Sequence, residues 1–229
     1  EIDLIVISDG EGVLGIGDQG LGGMGIPVAK LVMYIVSGCC SPLRCLPIFM
    51  DVGTNNQELL ANDMYLGLKQ KRLAGDEYNA FVDEVFAAIE TMFPTALVHW
   101  DDFAKRAARR HLTEYSGRMA CFNDDIQGTA VVVIAAILTG LAKKNQQLNE
   151  QRIVIVGAGS AGIGIANLLL ALCQAQGMSK EQAQQIFWVV DRYGLIMHGQ
   201  NHLSSAELTF ARESGYTQTW QDRSFATVV

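Results

Sequence analysis

"RIVIVGAGSAGIGIANLLLALC", residues 152–173, runs from an apolar strand through a glycine turn into an apolar helix. Ile153–Val156 carry no polar alternation, as suits a strand covered on both faces. Gly157-Ala158-Gly159-Ser160-Ala161-Gly162 then gives G-x-G-x-x-G in the setting where that pattern has a mechanism, after a strand and opening a helix. The first glycine allows the tight turn and the second lets backbone approach a pyrophosphate. The third lets helix and strand pack, and the helix N-terminus attracts the negative charge. The following strand, "IFWVVD" (186–191), closes on Asp191, where a carboxylate accepts adenosine ribose hydroxyls and repels a 2′-phosphate, favouring NAD over NADP. Asp191 stands 34 residues after Gly157 instead of about 20, the excess being "QAQGMSKEQAQQ" (174–185). Arg192 beside it offers a phosphate a partner, and a strand-end turn is the plainer role for Asp191 itself.

Outward from this unit the same alternation continues. The strand-like runs "DLIVIS" (3–8), "CLPIFM" (45–50), "TALVHW" (95–100) and "RMACF" (118–122) precede helical patterns starting at Pro27, near 78, near 102 and at 127. The fold class is therefore α/β: a parallel sheet domain with flanking helices, followed by the start of a Rossmann-type dinucleotide-binding domain. The polar stretch "KKNQQLNEQR" (143–152) is the plausible seam, giving domains 1–148 and 149–229. The chain opens inside a strand-like run without Met and stops on "FATVV", so we expect a fragment of a longer protein.

Composition narrows the function. The 229 residues are 49% apolar, enough for a substantial core, and 17 basic against 24 acidic residues leave a net charge of -7. That balance argues against nucleic acid or an anionic membrane as partner and suits small molecules or cations. The five cysteines lack C-x-x-C spacing, which predicts a reducing cytoplasm. No apolar run is expected to reach the roughly 18 to 20 residues of a transmembrane helix. The histidines (His99, His111, His198, His202) suit no zinc site, and "KRAARRH" (105–111) reads as a solvated helix face.

In an open parallel sheet ligands gather beyond the carboxyl ends of the strands, and three of those positions here are acidic: Asp51, Asp101-Asp102 and Asn123-Asp124-Asp125. Helix capping needs one such residue per helix, not two, so converging carboxylates point to a hard cation such as Mg²⁺ or Mn²⁺. Residues 10–25 hold eight glycines and lead into "GIPVAKLVMYIVSG" (25–38), where Lys30 sits among Ile26, Pro27, Met33 and Tyr34 at helical spacing. A lysine on an apolar face is paired or neutral, and desolvation lowers its pKa toward general-base use, with the carboxylates as partners. The glycines are then expected to let backbone pass close to a small anionic ligand.

"GIGDQGLGGMGIPVAKL", "LPIFMDVGTNN", "DDFA", "CFNDDIQGTA", "VGAGSAGIGIANLL" and "DRYGLI" resemble, in order, the motifs of the malic enzymes, and "DVGTNN" is similar to the bacterial, NAD-linked branch. The resemblance implies oxidative decarboxylation of L-malate to pyruvate and CO₂ with reduction of NAD, in a cytoplasmic dimer or tetramer. Lys30 matches the general base for the C2 hydroxyl and Asp124 its acidic neighbour. Asp101, Asp102 and Asp125 match the metal ligands, with Asp125 also on the cofactor side. The metal would hold malate and polarise the new C2 carbonyl.

Two positions depart from that pattern. The family's D-G-E-R is here Asp9-Gly10-Glu11-Gly12, without the arginine that grips a malate carboxylate, a loss of roughly 2 to 5 kcal/mol. The first metal position carries Asp101 in place of Glu, one methylene shorter. The resemblance also places the family's general-acid tyrosine before Glu1 and its substrate-holding asparagines beyond Val229, so we expect the fragment alone to be inactive. A malolactic enzyme, which makes lactate from the same site, and a non-catalytic dinucleotide-binding relative are the alternatives.

Overall fold

Leu4–Ser8 (β1) is apolar except at its end, and all five residues are buried, as a central parallel strand requires. In the computed structural model, which describes residues 1–213, 215 and 224–228, the chain divides into two compact units, Glu1–Asp124 and Asp125–Val229.

The first unit is a four-stranded, wholly parallel sheet in the order β2-β1-β3-β4, with β2 at Cys45–Phe49, β3 at Leu97–Trp100 and β4 at Cys121–Asn123. Its helices are α1 (Gly25–Gly38), the short α2 (Gln57–Ala61), α3 (Gly75–Met92) and α4 (Lys105–Tyr115). Leu4 and Val6 of β1 bury against Leu31 of α1, with Tyr34, Cys40 and Cys45 closing that layer. Elsewhere Phe86 of α3, Trp100 of β3 and Tyr115 of α4 stack, with Phe86 and Tyr115 ring centroids 4.1 Å apart.

Most expected elements stand where the periodicity puts them, with differences that have local causes. The third helix begins at Gly75, three residues before the expected start, because Gly75 takes a positive φ of 61° that turns the chain into it. α4 is not a solvated face throughout: Ala108, His111 and Tyr115 are buried, and Arg110 donates to Asp83 of α3 at 2.8 Å. Asp124–Gly128 forms one π-helical turn, which delays the next α-helix, α5, to Thr129–Lys144.

The second unit has β5 (Ile153–Val156) parallel to β6 (Phe187–Asp191), and β7 (Gly194–Leu195) antiparallel at the edge. α6 (Ser160–Ala175) and α7 (Lys180–Gln184) lie between β5 and β6. The insert 174–185 is thus the end of one helix and a second helix started by Ser179, whose side chain accepts from the Gln182 amide. Short helices α8 (Ser205–Leu208) and α9 (Phe225–Val228) follow. Ile134 of α5 shares a core with Ile163, Leu169 and Phe187, so α5 belongs to this unit, and the expected boundary at 148/149 moves to Asp124/Asp125.

Gly20–Gly38 and Asp124–Lys144 are each long and apolar enough to cross a membrane, contrary to the expectation that no apolar run reaches that length. Counting through single charged residues such as Lys30 makes the difference. The structure packs α1 against β1 and β2, and α5 against α6.

His111 is fully buried among Tyr78, Trp100, Phe103 and Tyr115, and burial, with Arg110 adding to it, pushes its imidazole down to about 3. The unfolded chain takes this proton near pH 6.5, so the contribution is present above that pH and lost as pH falls. Going from about pH 7 to about pH 4.5 is expected to cost about 2 to 3 kcal/mol through His111. Urea unfolding of the chain and of His111→Leu at both pH values checks this: the variant should lose clearly less stability on acidification, and equal losses would remove His111 from the account.

Candidate active site

The four parallel strands end in Ser8, Phe49, Trp100 and Asn123, so Asp9, Asp101 and Asp124, directly after their strands, and Asp51, two residues after its own, share the carboxyl edge of the sheet. Asp51 spends its carboxylate on the chain itself, accepting from the amides of Gly53 at 3.2 Å and Leu68 at 2.8 Å. It is a loop staple. Asp101 is 2% exposed and Asp102 is 9% exposed, and Asp102 holds a positive φ of 57° that turns the chain sharply after β3.

The structure brings Lys30 to these carboxylates. Its ammonium donates to Asp124 Oδ2 and stands 3.3 Å from Asp101 Oδ2. The side chain is 34% exposed, less enclosed than its neighbours suggest, because only Pro27 and Leu31 of α1 are buried. Burial lowers the Lys30 pKa, but the hydrogen bond to Asp124 and the charges of Asp101 and Asp124 outweigh it and hold the ammonium above the ordinary lysine range. The expected downward shift is therefore reversed, since two carboxylates repay more than partial desolvation costs.

Two further groups complete the cluster. Tyr34, one turn along α1 from Lys30, shares a hydrogen bond of 3.0 Å with Nδ1 of the buried His99, two residues before Asp101 on β3. Burial pushes His99 down to about 4, Lys30 adding to the effect and Asp124 opposing it, so the ring is neutral at pH 7. Lys30, Tyr34, His99 and Asp124 line a cavity of about 350 Å³. One donor atom each from His99, Asp101 and Asp124 lies within 4.8 Å of the others, a set able to hold a metal ion. The sequence reading placed Tyr34 only as an apolar neighbour and His99 only as a core or surface histidine. Their signal was available in retrospect, since residues i+4 on the helix and i−2 on the strand flank Lys30 and Asp101.

Some of the glycines ahead of α1 are required by close packing within the loop. A Cβ on Gly23 would meet Gly10 Cα and the Phe49 ring at 2.9 Å, so the two ends of the loop touch there, whereas Gly15, Gly17, Gly22 and Gly25 have open space around them. Gly12 donates its amide to the Asp102 carbonyl at 2.9 Å, and a Cβ there would lie 2.5 Å from the Phe103 carbonyl oxygen. Position 12 has no room for the family's arginine while that backbone stays in place.

In the second unit Gly157 adopts φ +109° and donates to the Val190 carbonyl at 2.7 Å, fixing the turn beside the end of β6. A Cβ on Gly162 would overlap the Gly157 carbonyl oxygen at 1.9 Å, which is the helix-to-turn contact that the third glycine permits. Around Gly157 and Gly159 the corresponding space is open, and the N-terminus of α6, with Ser160 and Ala161 in its first turn, has no side-chain cap. This is a cradle fit for a pyrophosphate. Asp191 ends β6 with Arg192 following it, and Asp125 is the first residue of this unit, directly after Asp124.

Residues 1–116 match the malic enzyme N-terminal domain and residues 126–229 the malic enzyme NAD-binding domain. The chain is 43% identical over 220 residues to the NAD-dependent malic enzyme of Psychrobacter arcticus, covering 96% of this chain and 39% of that protein. It is 46% identical over 204 residues to that of Psychromonas ingrahamii, covering 89% and 36%. The chain thus spans about two fifths of the length of these relatives. Among solved structures it is similar in fold to the NAD-dependent malic enzyme of Thermotoga maritima (TM-score 0.63, 23% identity, 93% of this chain and 48% of that one). The malic enzyme of Pyrococcus horikoshii gives a TM-score of 0.65 at 21% identity over 93% and 43% of the two chains.

Gly12→Ala is expected to destabilise the first unit by about 1 to 3 kcal/mol, because backbone and not a flexible side chain stands in the way. Denaturant unfolding reads this. A Gly12→Arg chain as stable as the parent would show that the loop at Phe103 yields freely, against this account.

Proposed function

We infer that this chain, which belongs to the malic enzyme family, carries the proton-handling and dinucleotide-holding parts of an enzyme that converts L-malate to pyruvate and CO₂ while reducing NAD. The observation that carries the reading is the Lys30 ammonium held by Asp124 and Asp101 at the carboxyl edge of a parallel sheet. When hydride leaves C2 of malate, the C2 hydroxyl must lose its proton, and we assign Lys30 to receive it; its direct contact with Asp124, which can share the charge, supports the assignment. Its resting pKa is high because two carboxylates face it, so committing Asp101 to another cation brings Lys30 down toward the range where it works as a base.

Asp101, Asp102 and Asp125 are the residues assigned to Mg²⁺ or Mn²⁺. Two consecutive, nearly buried carboxylates at a strand end suit a hard divalent ion, and such an ion supplies Lewis acidity at the C2 oxygen. Gly157, Gly159, Ser160, Ala161 and Gly162 are assigned to the pyrophosphate of NAD, Asp191 and Arg192 to its adenosine ribose, and Asp125 also to the cofactor side. Five free cysteines support a cytoplasmic setting. Val28, Val32 and Val36, exposed at one-turn intervals along α1, support a homo-oligomer.

The test uses the longest native chain containing these residues, supplied with L-malate, NAD and Mn²⁺, with NADH, pyruvate and lactate measured together. NADH and pyruvate in equal amounts support the reading, and lactate without NADH replaces it with a malolactic enzyme. Neither product from a folded, NAD-binding protein overturns it in favour of a non-catalytic relative. Lys30→Met is expected to lower kcat by about 10²- to 10⁴-fold while leaving the Kd for NAD unchanged.

A further inference from the structure

Asp191 does not stand alone at the end of β6. Its Oδ1 accepts the Tyr193 amide at 2.7 Å, and its Oδ2 lies 2.9 Å from Nε2 of His202, which reaches back from the segment after β7. The Asp191 side chain is 15% exposed and that of His202 40%, so the pair sits at the surface with the carboxylate largely enclosed. The Tyr193 and His202 rings meet edge to face with centroids 4.8 Å apart, and the Arg192 guanidinium lies 5.0 Å from the Tyr193 ring centroid. The strand end is joined to the glycine turn, since Gly157 donates to the carbonyl of Val190.

We propose that His202 is a positioning residue for the adenosine ribose of the dinucleotide, holding the Asp191 carboxylate in the one orientation that receives a vicinal diol. The inference rests on the NAD reading of the second unit. An ionised carboxylate offers about four acceptor positions, two on each oxygen. Among the described residues Tyr193 takes one position on Oδ1 and His202 one on Oδ2, which leaves one on each oxygen. Two free positions on neighbouring oxygens are what two adjacent ribose hydroxyls need. The Tyr193 amide alone fixes one oxygen and leaves the carboxylate free to pivot about it; the imidazole stops the pivot. It acts through Asp191, as an outer partner orients a ligand-binding side chain. A held carboxylate also keeps its negative charge where a 2′-phosphate would come, which strengthens discrimination against NADP beyond what Asp191 gives when free to turn toward Arg192.

The experiment is a double-mutant cycle on dinucleotide affinity, read by calorimetry on the longest native chain with NAD and NADP as probes. H202A is expected to weaken NAD binding about fivefold and to narrow the NAD-to-NADP preference, while H202Q, which keeps an N–H donor, restores most of both. In a D191A background H202A is expected to have no further effect, because the residue it acts through is gone. Unchanged NAD affinity in H202A, or the same loss in the presence and absence of Asp191, overturns the inference while leaving the cofactor reading in place. A wild-type chain that binds neither dinucleotide overturns both.

Discussion

Arg72 is the constraint on which the first unit's functional edge depends. Only 5% exposed, it donates Nε and Nη2 to the two Asp18 carboxylate oxygens at 2.9 Å each and Nη2 to the Asp9 carbonyl at 2.7 Å, with Nη1 3.5 Å from Asp9 Oδ2. Tyr78 donates its hydroxyl to the same Asp9 oxygen at 2.7 Å. Burial pushes Asp18 up, yet the Arg72 fork and the amides of Asn55 and Gly20 outweigh it and set its carboxyl at about 2. Burial is not outweighed at Asp9, whose carboxyl is held above the usual range. Removing one partner from such a buried set strands a charge, a cost of about 3 to 5 kcal/mol. One arginine from the loop before α3 thus pins the start and the middle of the glycine stretch between β1 and α1.

From that anchor the register of α1 on the sheet follows. Lys30 and Tyr34 are one helical turn apart, roughly 6 Å of rise, and Asp101 and His99 are two strand residues apart, roughly 6.6 Å. The spacings match, so α1 and β3 are joined by two polar rungs, Lys30 to Asp101 at 3.3 Å and Tyr34 to His99 at 3.0 Å. The first rung is charged and holds the lysine to which the proposed proton transfer is assigned. The second is neutral at pH 7 and fixes the height at which the lysine meets the carboxylates. Lys30 is therefore a structural cation as well as the proposed proton acceptor, and its raised pKa expresses the same contacts that hold the helix in place.

What could be read from the residues alone was what local pattern controls. β1 and β5 announce themselves by apolar runs, β3 by a run interrupted only at His99, and the G-x-G-x-x-G turn by its setting between a strand and a helix. The carboxyl-edge rule gathers Asp101 and Asp124 without knowledge of the strand order. Arg72 was illegible because its partners lie 54 and 63 residues away and nothing near it in the chain marks it as buried. The direction of the Lys30 shift was misjudged for a related reason: helical neighbours predict burial, whereas the sign depends on two carboxylates delivered by other strands. The seam between units escaped the composition argument because α5 is apolar enough to belong to either side, and its packing against α6 decides.

The two departures from the family pattern are physically linked. Gly12 and Asp101 look like independent losses in sequence, one of a guanidinium and one of a methylene. In the structure the Gly12 amide holds the Asp102 carbonyl, and the space that a side chain at 12 would need is taken by the Phe103 carbonyl of the same turn. The turn that presents Asp101 and Asp102 is thus seated against position 12. A larger residue there would push on that turn, and the place from which the shorter Asp101 reaches outward is set by a neighbour without a side chain. A side chain at position 12 therefore acts on the metal-side turn as well as on its own loop, because the backbone of Asp102 and Phe103 is what it meets.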